Sequence, residues 1–414
     1  MVMGAPSHAI GLRFLQAHGT HPHPELALEL VWAQLASQGA EHMGATLGWC
    51  YVTDELADGL EHIVQGLRTR LPQVAWVGAV GAGVLATGVE YLEEPALAVM
   101  LCNLPAGDFR VFHGRQPLPR LSGFMPQAVQ VHADGQTPDL QDLLHELAQR
   151  TATGQLFGGL SVGDPARWHV ATDGGPPPPA PAPEGADHSG LWHGGVSGVA
   201  FDAGVRLVSR VTQGCTPVGP PRTITGCDRH VVYELDGRPA LRCLLNDLGL
   251  PGPEQADWHL EALPKVRATL AGLSDADTEL MSHGRHFGDD TRMRHLIGLD
   301  PQRHGIALAD QVETGMRLAF GQRHVAAARQ DLVRICAEIR EEFDPQEHPG
   351  SAPVGAVYIS CAGRGGRYFG APHAEMEILS HALGDIPLVG FFAGGEIARH
   401  HLYGYTGVLT VFGA

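Results

Sequence analysis

Residues 356–397 read AVYISCAGRGGRYFGAPHAEMEILSHALGDIPLVGFFAGGEI. AVYISC (356–361) is a short apolar run of buried-strand character, and AEMEILSHAL (374–383) places Met376, Leu379 and Leu383 on one helical face. IPLVGFFAGGEI (386–397) is a further strand ending in a glycine-rich turn, and GVLTVF (407–412) is a closing strand. The same order stands near the start of the chain. LGWCYV (47–52) precedes a helix whose stripe is Leu56, Leu60, Ile63, Val64 and Leu67; VAWVGAVGAGV (74–84) and ALAVMLCNL (96–104) follow. This repetition predicts a duplicated unit and an α/β (α+β) fold of two related halves, with mixed β-sheets covered by helices.

The remaining text fits that frame. A helix from Pro24 to Ala36 buries Leu28, Val31, Trp32 and Leu35, and Thr53 is placed to cap the helix behind it. A long helix over 325–343 turns Ala328, Leu332, Ile335, Cys336 and Ile339 inward, which makes Cys336 a core residue. GGPPPPAPAPEGADHSG (174–190) cannot form helix or sheet. Strand-like text on both sides makes it a mobile loop within a hairpin insertion.

Composition excludes several classes of function. The net charge is −17, from 28 basic and 45 acidic residues, so neither nucleic acid nor a membrane surface is expected as a partner. The single lysine, Lys265, lies between Pro264 and Val266, which removes both a P-loop and a kinase strand lysine. Seven cysteines without a C-x-x-C pair argue against a zinc site or a disulfide framework. No signal peptide and no long apolar span is visible, so the protein is expected in the cytoplasm. The histidine pairs His21/His23, His283/His286 and His400/His401 lack the helical spacing of a metal site, even with Asp289 and Asp290 near the second; no metal and no cofactor is assigned.

Three stretches invite chemistry. In CAGRGGRYFG, Tyr368 stands where a dinucleotide fingerprint needs glycine or alanine, so the glycines do not mark a nucleotide site. What remains is a strand end with Cys361, the close-approach backbone of Gly365, and the guanidinium groups of Arg364 and Arg367, which suit bidentate carboxylate binding. Glu396, after Phe391 and Phe392, supplies the opposite charge, so the two together complement a zwitterion; the alternative is that both arginines pair with surface acids. GLSVG (159–163) has the letters of a nucleophile elbow, but the proline-rich text after Ser161 leaves no room for the helix such an elbow needs.

On these residues the chain resembles the FIST family (F-box and intracellular signal transduction). VTQGCTPVGPPRTIT (211–225) and YELDGRPALRCLLNDLG (233–249) carry the likeness in the first half. RHLIGLDPQRHGIALADQVETGMRLAFGQR (294–323), CAGRGG, Glu375 and IPLVGFFAGGEIA carry it in the second. The resemblance implies an N-terminal extension over 1–24, a FIST-N-like domain over 25–237 with the 174–190 loop inserted, and a FIST-C-like domain over 238–414. It further implies a sensory module for small ligands such as amino acids, with a signalling partner in trans. The matched motif residues are Cys361, Arg364, Gly365, Glu375, Phe391, Phe392, Gly395 and Glu396, with Gln213, Gly214 and Cys215 (and Pro217 beside them) from the first half. Two departures touch acids of the pattern: Arg323-His324 stands where Arg-Asp is usual, and GAVGAGV lacks the usual Gly-Glu. A protein- or peptide-binding module, and a hydrolase built on Cys361 or Ser161, are the alternatives.

Overall fold

The computed structural model describes residues 11–114, 116–118, 123–164, 167–175, 189–252, 254, 258–278, 280–282, 286–288, 290–348 and 351–414. The first ten residues, most of the proline-rich run (176–188), His283 and Asp289 lie outside the described residues. The chain forms two compact units: one from residues 1–210, 335–400 and 407–414, the other from 211–334 and 401–406.

The first unit is α/β, as the sequence indicates, and its plan is a motif used three times. A leading strand, a helix and a following strand parallel to the leading one are completed by a return strand, antiparallel to the leading strand on its other side. In the first copy these are Leu47–Thr53, Leu60–Arg70, Ala75–Gly81 and Ala96–Cys102. The second copy uses Pro126–Asp134, Leu140–Gln149, Gln155–Ser161 and Val196–Asp202. The third uses Pro353–Cys361, Ala374–Leu383, Leu388–Ala393 and Thr406–Gly413. The sequence showed the first and third copies. The middle copy escaped notice because the insertion carrying the proline-rich run separates its following and return strands.

Equivalent glycines set the register. Gly78, Gly158 and Gly390 stand opposite Cys50, Val131 and Tyr358 in the three strand pairs. A Cβ at any of them would lie 1.6–1.8 Å from the facing carbonyl oxygen, a contact possible only without a side chain.

The segment after each following strand does not pair within its own copy. Gly83–Ala86, from the first, adds to the edge of the third copy's following strand. His169–Thr172, from the second, adds to the first. Glu396–Ala398, from the third, adds to the second. A matching ring of backbone bonds closes the exchange: Ala82 donates to Phe392 O (2.9 Å), Val162 to Val80 O (3.0 Å) and Gly394 to Leu160 O (3.1 Å). Each donor lies four residues after its copy's glycine and each acceptor two residues after, so the three copies close cyclically. The strands flanking the proline-rich run also differ from the simplest expectation. Gln155–Ser161 and Val196–Asp202 lie on either side of Pro126–Asp134, and the hairpin is formed by His169–Thr172 with Leu191–Trp192.

Thr53 is a local correction. Its side chain caps no helix; Oγ1 donates to Glu94 O and accepts from Ala96 N, and the chain runs first through the 3-10 segment Asp54–Gly59. The stripe beyond it is buried as expected, from Leu56 to Leu67.

The second unit is a closed antiparallel barrel. Strands Arg222–Asp228, Val231–Leu235, Gly305–Leu308, Arg292–Asp300 and Thr269–Ser274 follow Arg317–Arg323 in order, and the last pairs back to it. Closure removes the exposed edges, and Ile224, Leu235, Leu273, Ile306, Leu318 and Phe320 pack with helix residues Leu241 and Leu244 in the core.

Candidate functional site

Alternation along Pro353–Cys361 turns Tyr358 and Ser360 to the same side of the strand, and both reach Glu375 in the first turn of helix Ala374–Leu383. Tyr358 Oη donates to Glu375 Oε1 at 2.6 Å and Ser360 Oγ to Oε2 at 3.0 Å. Arg364, in the turn after the strand, donates Nε and Nη2 to the same Oε1 at 3.0 and 2.7 Å. Arg364 is 1% exposed and Glu375 fully buried. The guanidinium also lies over the Phe369 ring, 5.1 Å from its centroid.

Glu375 thus has four donors on two oxygens, whereas Arg364 keeps Nη1 buried without a hydrogen-bond partner among the described residues. Burial opposes the charge of Arg364, but Glu375 beside it more than offsets this and holds the group ionised. Burial and then the neighbouring Glu375 carboxylate push the Tyr358 hydroxyl well above its ordinary range.

The fifth member comes from the exchanged hairpin. Glu90 Oε1 accepts from the backbone N–H groups of Glu375 (3.0 Å) and Met376 (3.3 Å), and Glu90 N donates to His373 Nδ1 (3.0 Å). A carboxylate from the first copy therefore caps the helix of the third. Burial and then repulsion from Glu375 push its carboxyl up to about 7. Nothing local in EYLEE marks Glu90 for this role. Sequence reasoning also missed Tyr358 and Ser360, although two polar residues spaced by two in an otherwise apolar strand are a signal that could have found them.

The other motif residues scatter around this cluster. Cys361 ends the leading strand, half-buried, opposite Ala393. A Cβ at Gly365 would meet Leu92 and Phe392, so this glycine permits close backbone packing. Gly395 O accepts from Leu160 N at 2.8 Å, and Glu396, fully buried, pairs in register with Gly159. Phe391 stacks on Tyr51 with centroids 5.1 Å apart. The side chain of Arg367 lies outside the described residues. Gln213, Gly214 and Cys215 belong to the second unit: Gln213 Nε2 donates to Gly288 O and Thr291 O, His324 N donates to Gly214 O, and Cys215 is buried among Leu270, Phe287 and Met293.

A second polar group, which sequence reasoning missed, lies around Phe391. Trp49 Nε1 donates to Gln130 Oε1 (2.7 Å) and Gln130 Nε2 to Tyr51 Oη (2.8 Å), and Tyr51 Oη lies 3.1 Å from His132 Nε2. His169 Nδ1 lies 2.6 Å from Ser197 Oγ. Burial lowers His132 to about 3 and His169 to about 4, so both rings are neutral. Ser161 lies apart: its hydroxyl faces the carbonyls of Ala133 (3.0 Å) and Arg167 (3.1 Å), both backbone acceptors. Among the described residues no three His, Cys, Asp or Glu side chains converge as metal ligands, and no helix is long and apolar enough to cross a membrane.

Known proteins give the family. Residues 46–238 match the FIST N domain and residues 240–399 the FIST C domain. The chain is 29% identical over 406 residues to "Uncharacterized protein Rv0628c" of Mycobacterium tuberculosis, covering 90% of this chain and 92% of the relative. It is also 33% identical over 242 residues to "Uncharacterized protein Mb0898c" of Mycobacterium bovis, 55% of each. With FIST N and FIST C domains in tandem along nearly its whole length, the chain belongs to the FIST family, whose domains are associated with signal transduction.

Proposed function

We propose that this protein is a cytoplasmic ligand-sensing module. It takes an amino acid or similar small carboxylate at the Arg364–Glu375 cluster and passes the signal to a partner protein in trans, with no role in nucleic-acid or membrane binding. One observation carries the reading. Where the third copy holds Tyr358 and Ser360, the first holds Cys50 and Val52 and the second Val131 and Ala133. The second helix residue, Glu375 in the third copy, is Glu61 or Gln141 in the others, both exposed. The architecture is built twice without an ion pair at these positions, so the repeated motif itself does not require the one in the third copy. A buried pair seldom adds stability over an apolar core, and the unengaged Nη1 of Arg364 is a donor suited to a carboxylate. Ligand entry on this reading displaces the turn Ala362–Phe369.

The test is a thermal-shift screen of the full chain against the amino acids and small organic acids, repeated on Arg364→Gln and on the milder Ser360→Ala. The expected result is a rise in Tm with at least one compound, lost in Arg364→Gln and reduced in Ser360→Ala. A rise unchanged in both variants removes the site; no rise with any compound removes the ligand class. The partner has one surface observation in its favour: Leu26 and Leu30, one turn apart on helix Pro24–Ser37, are 48% and 47% exposed.

A further inference from the structure

The two carboxyl groups of the cluster are used differently. Both oxygens of Glu375 accept side-chain donors. Glu90 accepts its two backbone N–H groups at Oε1 alone, and Oε2 has no hydrogen-bond partner among the described residues. Glu90 is 6% exposed, and no cationic side chain pairs with it among the described residues. A buried acceptor in that state costs stability until a donor reaches it. The rise of its carboxyl to about 7, from burial and then from Glu375, is what a carboxylate without a cation shows.

Strand geometry relates this oxygen to the turn that covers the cluster. Glu90 and Leu92 stand two apart on strand Val89–Leu92 and so share a face. On that face Leu92 lies against the turn, since a Cβ at Gly365 would sit 2.8 Å from its Cδ1, while Glu90 lies against the helix start. Displacement of the turn Ala362–Phe369 therefore uncovers the face that carries Glu90. Glu375 joins the two ends: its backbone N–H meets Glu90, and its carboxylate meets Arg364. A carboxylate oxygen and a guanidinium, each with an unused position, thus stand on either side of one residue.

We infer that Glu90 is the specificity-determining residue of this site: its Oε2 accepts the ammonium group of the ligand, so the site takes an amine carried beside a carboxylate and rejects the same acid without its amine. The inference rests on the ligand reading given to Arg364 and Glu375. It also ties binding to a proton. The charged and titratable groups around Glu90 are Glu375 and Glu377 on the helix, His373 before it, which accepts the Glu90 N–H, and Arg364 in the turn. Strand Gly83–Ala86 beside it supplies none, and Tyr91 turns away to His18. The two glutamates favour the protonated carboxyl, so an incoming ammonium group releases that proton.

Probe pairs that differ only in the amine test this: alanine with propionate, leucine with isocaproate, and phenylalanine with hydrocinnamate. Each is titrated into the full-length protein by calorimetry at pH 6, in two buffers of different ionisation heat. The expected result is that the pair that binds does so at least about tenfold more tightly as the amino acid, as one charge-assisted hydrogen bond implies, with release of a proton. Glu90→Gln keeps an oxygen for the helix N–H groups; it binds both members of the pair equally and releases no proton. Equal binding of the two members by the unmodified protein, or a preference that survives Glu90→Gln, overturns the inference and leaves the reading of Arg364 standing. If Glu90→Gln does not fold, the affinity ratio and the proton release of the unmodified protein decide it. No binding by any pair removes the Arg364 reading, and this inference with it.

Discussion

The first and third copies of the repeated motif share strand order, register and the glycine opposite the leading strand, yet they fill the space beneath the helix in opposite ways. In the first, Cys50 and Val52 join Ile63, Val64 and Leu67 in a continuous apolar core. In the third, Tyr358, Ser360, Arg364 and Glu375 fill the corresponding space with an ion pair, capped by Glu90. The first copy needs only dispersion and the hydrophobic effect, which tolerate small volume changes at modest cost. The third depends on every charge and hydrogen bond being matched, since a buried charge without its partner has no solvent to fall back on.

The largest test of that contrast is loss of one charge. Glu375→Gln leaves Arg364 buried and unpaired and is expected to cost about 3–5 kcal/mol, measured by urea denaturation. Ile63→Val in the first copy should cost only about 1 kcal/mol. The double variant Arg364→Met/Glu375→Leu should recover much of the loss; if it is as unstable as Glu375→Gln alone, the ion pair is not the difference between the copies.

What the copies share should respond alike. Gly390→Ala and Gly78→Ala each place a methyl against a facing backbone carbonyl, of Tyr358 and Cys50 respectively. Backbone cannot give way as a flexible side chain does, so each should lose about 1–3 kcal/mol or more. A tolerated substitution at one of them, with normal stability, would break the equivalence of the copies.

The effects of pH run in opposite directions. His132 and His169 titrate near 3 and 4 in the folded chain but near 6.5 when unfolded, so the unfolded state binds more protons as pH falls below 6.5. Stability therefore declines through that window, by up to about 2.7 kcal/mol per pH unit for two such groups. His132→Gln should flatten the slope. Glu90, raised from 4.5 to about 7, takes up its proton more readily when folded, so its contribution is lost as pH rises from 4.5 to 7, the window in which the histidines add stability. Glu90→Gln should remove this loss, on the order of 3 kcal/mol across the window, and so steepen the rise in stability between pH 5 and 7. Denaturation curves of the two variants between pH 4 and 7 separate the groups, because His132→Gln flattens the rise in stability with pH and Glu90→Gln steepens it.

The elements of the first and third copies were legible in the chain, whereas the barrel strands of the second unit and the leading strand and helix of the middle copy were not read. The helix Ala374–Leu383 has the bounds its periodicity gave, and the helix of 325–343 buries the five residues expected. Apolar spacing is a local signal, and local elements obey it. The motif residues Arg364 and Glu375 were legible too, but as two candidate groups and not as each other's partner.

By itself, then, the sequence determined the elements of the first and third copies, their buried faces, the family and the chemical types gathered near residue 361. Only tertiary structure decided how those types are used. Arg364 spends two nitrogens on Glu375, eleven residues away, while the helix cap comes from Glu90, 285 residues from Glu375 in the chain. The threefold closure likewise depends on each copy lending a strand to another. Strand exchange and ion pairing depend on distance in space, and a period read along the chain carries no record of it.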